Sequence, residues 1–187
     1  MTTSLYKKVK YIKIDETKYK INTDFRVAIR CFELIEDNSI SDLERAYGIV
    51  TLLFGIDCPV NETSLGLAKK YLEYGNDNDS TNRERDIDYN LDQKYIIPSI
   101  RKDYHIDITS EKIHWHSFVD MIMGLSQFSL LNSVRDIRNT DLSKIKDRKE
   151  REEKAKLKKK FALPKKQTEE QKKILEEFER RLNNGWW

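Results

Sequence analysis

Residues 6–21 alternate lysine with Val9, Tyr11, Ile12, Ile14, Tyr19 and Ile21 around Asp15-Glu16-Thr17. That twofold period is the pattern of two short strands and predicts a β-hairpin. From Thr23-Asp24 onward the period lengthens, and Phe25, Ala28, Ile29, Phe32 and Ile35 fall on one face of a helix with Cys31 beside it. Ser41-Asp42-Leu43-Glu44 has the spacing of a capping box, in which the serine hydroxyl takes an orphan amide and the glutamate reaches back to the serine amide. It predicts a second helix with the stripe Leu43, Ala46, Tyr47, Val50, Leu53 and Phe54, stopped by Gly55 in a left-handed position and by Pro59. A third helix is predicted from about Thr63 to Tyr74, burying Leu65, Ala68, Tyr71 and Leu72 and ending at Gly75.

The stretch from Gly75 to Asp86 holds no large apolar side chain and cannot offset its ordering entropy, so a flexible loop is predicted over about 75–87. After it, Leu91, Tyr95, Ile96 and Ile100 predict a helix over Asn90–Tyr104, kinked or split at Pro98 because proline removes an internal hydrogen bond. A helix over about Ser110–Met123 should turn Ile113, Phe118, Val119 and Ile122 inward and stop at Gly124, and another should span about Ser129–Ile137. Past Asp141 the apolar residues thin out. The run DRKEREEKAKLKKK reads as an exposed helix supported by charge pairs three or four apart and ended by Pro164. Thr168-Glu169-Glu170-Gln171 repeats the capping-box spacing and opens a last helix with a narrow stripe, Ile174, Leu175, Phe178 and Leu182.

These elements make the fold class mainly α: a helical bundle with a short N-terminal β-hairpin and a charged helical C-terminal arm. The expected divisions are 1–22 for the hairpin, 23–140 for the helical body and 141–187 for the arm. Composition adds one constraint. Apolar residues make up 38% and charged residues 36% of the chain, too few apolar and too many charged for every helix to be wrapped in a core. The net charge of +3 conceals an asymmetry. Residues 144–187 carry 16 Lys and Arg against 9 Asp and Glu, or +7, leaving 19 against 23, or −4, in the rest. A basic arm on an acidic body seeks an acidic partner, protein or nucleic acid. The longest apolar run, Ile49–Ile56, is far short of the roughly 18 residues that span a bilayer, so no membrane segment is expected. The first residues lack the basic-then-apolar order of a secretion signal, which places the protein in the cytoplasm with Cys31 and Cys58 as reduced thiols.

The chemistry-bearing residues point away from catalysis. His114 and His116, with His105 nearby, form the one cluster that suggests a metal, but helix positions two apart point about 200° apart. Helix-face histidines beside a buried Trp115 are the better reading. Cys31 and Cys58 make no CxxC pair. Asp77, Asp79, Asp86, Asp88 and Asp92 lie in or beside the polar loop, and the glycine and distal glutamate of a calcium loop are missing, which makes them solvated carboxylates. No GxxxxGK[ST], GxGxxG or GxSxG occurs. No cofactor or metal is expected. Lys156, Lys158, Lys159, Lys160, Lys165 and Lys166 form a basic patch able to meet phosphates, yet Glu150, Glu152 and Glu153 interrupt it and Phe161 is its one stacking ring, which argues against nucleic acid. Trp186 and Trp187 at the end of the arm are large rings that mark a contact, with another protein or with the chain's own helices.

One resemblance covers residues 22–182 or so. Asp24-Phe25-Arg26 at a helix start, Phe32-Glu33-Leu34, the acidic loop, His114-Trp115 through Gly124-Leu125, and DLSKIKD (Asp141–Asp147) running to KKKFALP (Lys158–Pro164) resemble the bacteriophage "gene product fifteen" family. The family often has a second aromatic where His116 stands, and the terminal tryptophan pair is peculiar to this chain. The resemblance implies a protein of long-tailed phages that resembles tail-assembly chaperones. Such a factor binds the tape-measure protein, the tail-tube protein or both during tail morphogenesis, works in the host cytoplasm and is absent from the mature virion. On that reading the protein is not an enzyme, and the contacts are Ile174, Leu175, Phe178, Leu182, Trp186 and Trp187, with self-association an open addition. A nucleic-acid-associated phage factor acting through the basic arm and a structural tail subunit are the alternatives.

Overall fold

The computed structural model describes residues 8–74 and 85–164, and among them the chain is mainly helical with one two-stranded antiparallel sheet. Strands β1 (Tyr11–Ile14) and β2 (Thr17–Lys20) pair Tyr11 with Lys20 and Ile14 with Thr17. Asp15 takes a positive φ of 49° in the two-residue turn between them, a conformation that Asp tolerates better than most residues. Ile12 and Ile14 point into the core, as the alternation predicts.

Two compact units divide the chain, residues 1–139 and 140–187. In the first, α1 (Phe25–Glu36) packs on α2 (Asp42–Phe54) and on α5 (Trp115–Met123), α2 packs on α3 (Glu62–Leu72), and α4 (Gln93–Tyr104) packs on α5 and α6 (Leu130–Asn139). The Ser41–Glu44 capping box is present in both directions and starts α2. An equivalent reciprocal cap between Asn61 and Ser64, which the sequence pattern did not flag, starts α3. Gly55 supplies a positive φ of 91° after α2 but continues into extended backbone, not into a left-handed turn.

Three features depart from the periodicity reading. Helix α5 starts at Trp115, five residues late, because Ile113 and His114 are held extended against the start of α1: Phe25 N–H donates to Ile113 O at 2.9 Å and Trp115 N–H to Thr23 O at 2.8 Å. Helix α4 runs through Pro98 without being split there. Leu43 and Tyr47 are 74% and 52% exposed, although they lie on the predicted inner stripe of α2. The stripe is wider than the surface that covers it. Gly124 does end α5, with an ordinary φ of −87°. Its role is space, since a β-carbon there would meet the Tyr104 hydroxyl at 2.6 Å, and that hydroxyl donates to Met121 O.

The core centres on a cluster of rings. Phe25 stacks on Phe118 with centroids 4.4 Å apart, and Trp115 lies against Phe32, Tyr89 and Phe118. Trp115 is 1% exposed and its indole N–H has no hydrogen-bond partner among the described residues. Burying a ring of this size is worth about 4–6 kcal/mol at the usual area coefficient. An orphan donor costs about 1–3 kcal/mol, so packing decides the position.

The second unit is different in kind. After a 3₁₀ turn at Leu142–Lys144, helix α7 (Arg148–Phe161) starts at Asp147, whose carboxylate accepts the Glu150 amide at 2.8 Å, and it buries no side chain. Among this unit's described residues Leu142, Ile145, Ala155, Phe161 and Leu163 are half-buried and Leu157 is exposed. The expected helix at Thr168–Leu182 lies outside the described residues.

Candidate partner-binding surfaces

The histidines are structural. His114 caps α5: its Nδ1 accepts the His116 amide at 3.1 Å while its Nε2 faces Val9 O at 3.0 Å. A carbonyl only accepts, so Nε2 carries the proton. His116 likewise directs Nε2 at Tyr71 O, 3.3 Å away, and its ring stacks on Tyr74 at 3.8 Å. Because His114 precedes the helix, the two rings come within 5.0 Å instead of diverging as two helix positions would. Burial, followed by the charge of its neighbour His114, pushes His116 down to about 4. Burial lowers His114 as well. His105 stands apart as the left-handed cap of α4. No group of three metal-capable side chains occurs among the described residues. Cys31 and Cys58 are both buried and free, and burial pushes the Cys31 thiol up to about 12, leaving little thiolate at neutral pH.

The acidic segment is partly misread by sequence. Asp77 and Asp79 lie outside the described residues, but Asp86 and Asp88 are half-buried and Asp92 is buried, and all three are paired. Asp92 is 1% exposed and takes a bidentate ion pair from Arg138, with both contacts at 2.7 Å. Its Oδ2 also accepts the Asp88 amide at 2.9 Å. Asp86 receives Arg135 and Asn139, and Asp88 receives Arg85. Asp86 and Asp92 tie the segment before α4 to α6 from positions about fifty residues away, and no local pattern announces that.

Of the basic patch, Lys156, Lys158, Lys159 and Lys160 lie on α7, where Lys158 donates to Thr140 O at 2.8 Å and the others are exposed. Lys165, Lys166, Ile174, Leu175, Phe178, Leu182, Trp186 and Trp187 lie outside the described residues.

The first unit contains apolar surface that the sequence did not single out. Met123 at the end of α5, Phe128 in the turn that follows and Leu130 at the start of α6 are exposed, Phe128 by 77%. The backbone of the turn is nevertheless fixed: Asn132 Nδ2 donates to Leu125 O and Ser126 O at 3.1 Å each, and the Ser126 amide donates to Asp103 at 2.8 Å. A cleft of 510 Å³ between α1 and α4 is lined by Phe25, Ile29, Ile96 and Phe118. The Arg26 guanidinium at its edge is spent on Asp24 and on the carbonyls of Ile108, Thr109 and Glu111. A groove of 740 Å³ runs between β1 and α3. Periodicity assigns Phe128 to no stripe, and it reads Phe25, Ile29, Ile96, Phe118 and Tyr71 as core positions without showing that a cleft or groove opens beside them.

The model of the family described as Bacteriophage Gp15 protein matches residues 5–163, most of the chain. The chain belongs to this family. The match takes in the whole described part of the first unit and α7, so the histidine cap, the Asp92–Arg138 pair and the exposed turn all lie within the family's extent. No curated protein and no solved structure matches it. No helix among the described residues is long and apolar enough to cross a membrane.

Proposed function

We propose that this phage protein is a tail-assembly chaperone that acts by binding, without catalysis, and grips the tape-measure protein, the tail-tube protein or both while the tail is built. It works in the host cytoplasm and leaves before the virion is complete. The observation that carries the reading is the α5–α6 turn, where a fixed backbone holds Met123 and Phe128 in water. An aromatic side chain kept exposed on a preorganised turn adds little to the stability of its own domain, and in a partner's pocket it is the type of residue that dominates binding. Family membership supplies the phage context. A grip made of a few such anchors also suits release, since modest interfaces leave little surplus over the entropy of association.

Replacing Met123 and Phe128 together by serine should leave stability within about 0.5 kcal/mol, because both side chains are largely solvated. The same variant should lower capture of coexpressed tape-measure or tube protein by about tenfold or more, as expected for loss of a hot spot. Unchanged capture would remove the turn from the interface. The arm residues Ile174, Leu175, Phe178, Leu182, Trp186 and Trp187 are proposed as further contacts, and a chain truncated after Pro164 that captures its partner equally well refutes them.

A second reading has its own observation. Helix α7 carries eight Lys and Arg against three Glu and buries none of them. A steep salt dependence of binding to duplex DNA would favour a nucleic-acid role for this face, and no binding at low salt would end it.

A further inference from the structure

We infer that the groove between β1 and α3 receives an amphipathic helix whose apolar stripe is flanked by carboxylates. The groove has a space of 740 Å³, which lies in the range of sites that enclose several side chains. Its inner wall is apolar: Val9 and Ile12 from the hairpin, Leu67 and Tyr71 from α3. Its charged lining is net cationic, with Lys13, Glu16 and Lys18 from the hairpin and Lys70 from α3.

These charges are not equivalent. Lys13 is paired with Glu16 at 2.9 Å, across the turn. Lys18 stands with its ammonium 4.3 Å over the Tyr11 ring and has no carboxylate partner among the described residues, and neither has Lys70. Two ammonium groups without a carboxylate partner among the described residues therefore line the groove, Lys18 from the hairpin and Lys70 from α3. An occupant with alternating side chains would insert only half of them, as a strand does. A helix presents neighbouring apolar residues at i, i+3, i+4 and i+7 as one ridge, with the flanking positions directed at the two rims, where Glu or Asp meets Lys18 and Lys70. Charge at such a rim selects the partner more than it adds affinity. His116 also lines the groove, and its lowered pKa keeps that ring neutral near neutral pH. The inference rests on the assembly-chaperone reading only for the natural source of the helix.

The test uses two fluorescent peptides of about 18 residues, long enough to be helical when bound. Both carry leucine at i, i+3, i+4 and i+7, one with glutamate and the other with lysine at the flanking positions. Anisotropy titrations of the full chain should show saturable binding of the glutamate peptide and weaker binding of the lysine peptide. Lys18→Glu combined with Lys70→Glu, both solvent-facing positions that leave thermal unfolding unchanged, should weaken the glutamate peptide by about tenfold and improve the lysine peptide. Equal affinities in wild type and variant, or no binding of either peptide, overturn the inference. Binding that appears only after residues 1–7 are deleted assigns the groove to the chain's own N-terminus and overturns it too. If the peptides fail while wild type still captures the tape-measure or tube protein, the groove is wrong and the chaperone reading stands. If the peptides bind and no tail protein is captured, the chaperone reading falls and the groove remains.

Discussion

Asp92→Ala is expected to cost the first unit about 3–5 kcal/mol, the penalty for removing one partner of a buried ion pair. A domain's whole stability is about 5–15 kcal/mol, so this one carboxylate accounts for about a fifth of it or more. The size follows from what is left behind. The Arg138 guanidinium is 9% exposed, and without Asp92 it loses two charge-assisted hydrogen bonds in a place water scarcely reaches. Hydrogen bonding to Asp92 is the first cause of the raised pKa of Arg138, and without it the guanidinium remains charged because its intrinsic pKa is so high. The Asp88 amide is orphaned at the same time. Replacing both partners, Asp92→Leu with Arg138→Met, should recover much of the loss, because an apolar pair of similar volume does not bury an unmatched charge. Recovery will be incomplete, since Arg138 also donates to Asp86 O. Urea denaturation followed by circular dichroism checks both variants. A loss below about 1 kcal/mol for Asp92→Ala would show that the pair is solvated or dispensable.

Acid sensitivity is the second large expectation, and it originates at His116. Its folded pKa, about 4, lies well under the unfolded value of about 6.5. Between those two values the unfolded chain binds a proton that the folded chain refuses, so stability is full above pH 6.5 and falls as pH drops towards 4. The change amounts to roughly 3 kcal/mol. His114 shifts in the same direction, and its protonation at Nδ1 would break the bond that caps α5. His116→Phe keeps a ring on Tyr74 and removes the titration. Its stability difference from wild type should therefore shrink by about 2–3 kcal/mol between pH 7.5 and pH 4.5. Parallel pH profiles would contradict the buried neutral imidazole. Exposed carboxylates with depressed pKa values, such as Asp103 and Asp107, lose their smaller contributions at lower pH and do so equally in both chains.

What sequence reveals here is what depends on neighbours in the chain. The Ser41–Glu44 box, the lysine-studded hairpin and the unburied α7 each follow from residues two to four positions apart, and each is present. Pairings across tens of residues do not show in that pattern. Asp92 looks like one more acidic loop residue until Arg138, 46 positions on, lies against it. The late start of α5 depends on a backbone bridge to Thr23 and Asp24 that overrides its helical periodicity. Leu43 and Tyr47 satisfy the period of α2 yet face solvent, because a period gives direction and says nothing of how far the covering surface extends. The β1–α3 groove joins residues 9–18 to residues 67–74, so neither half signals it alone. The proposed arm contacts were legible as a stripe, Ile174, Leu175, Phe178 and Leu182, and lie outside the described residues.

The claim that this family member holds tail proteins only while they assemble is tested most directly by quantitative mass spectrometry of purified virions beside the infected-cell lysate. The account predicts the protein in the lysate, in complexes with tape-measure or tube protein, and its absence from finished particles. A fixed stoichiometry per virion would contradict it and make the protein a structural subunit of the tail.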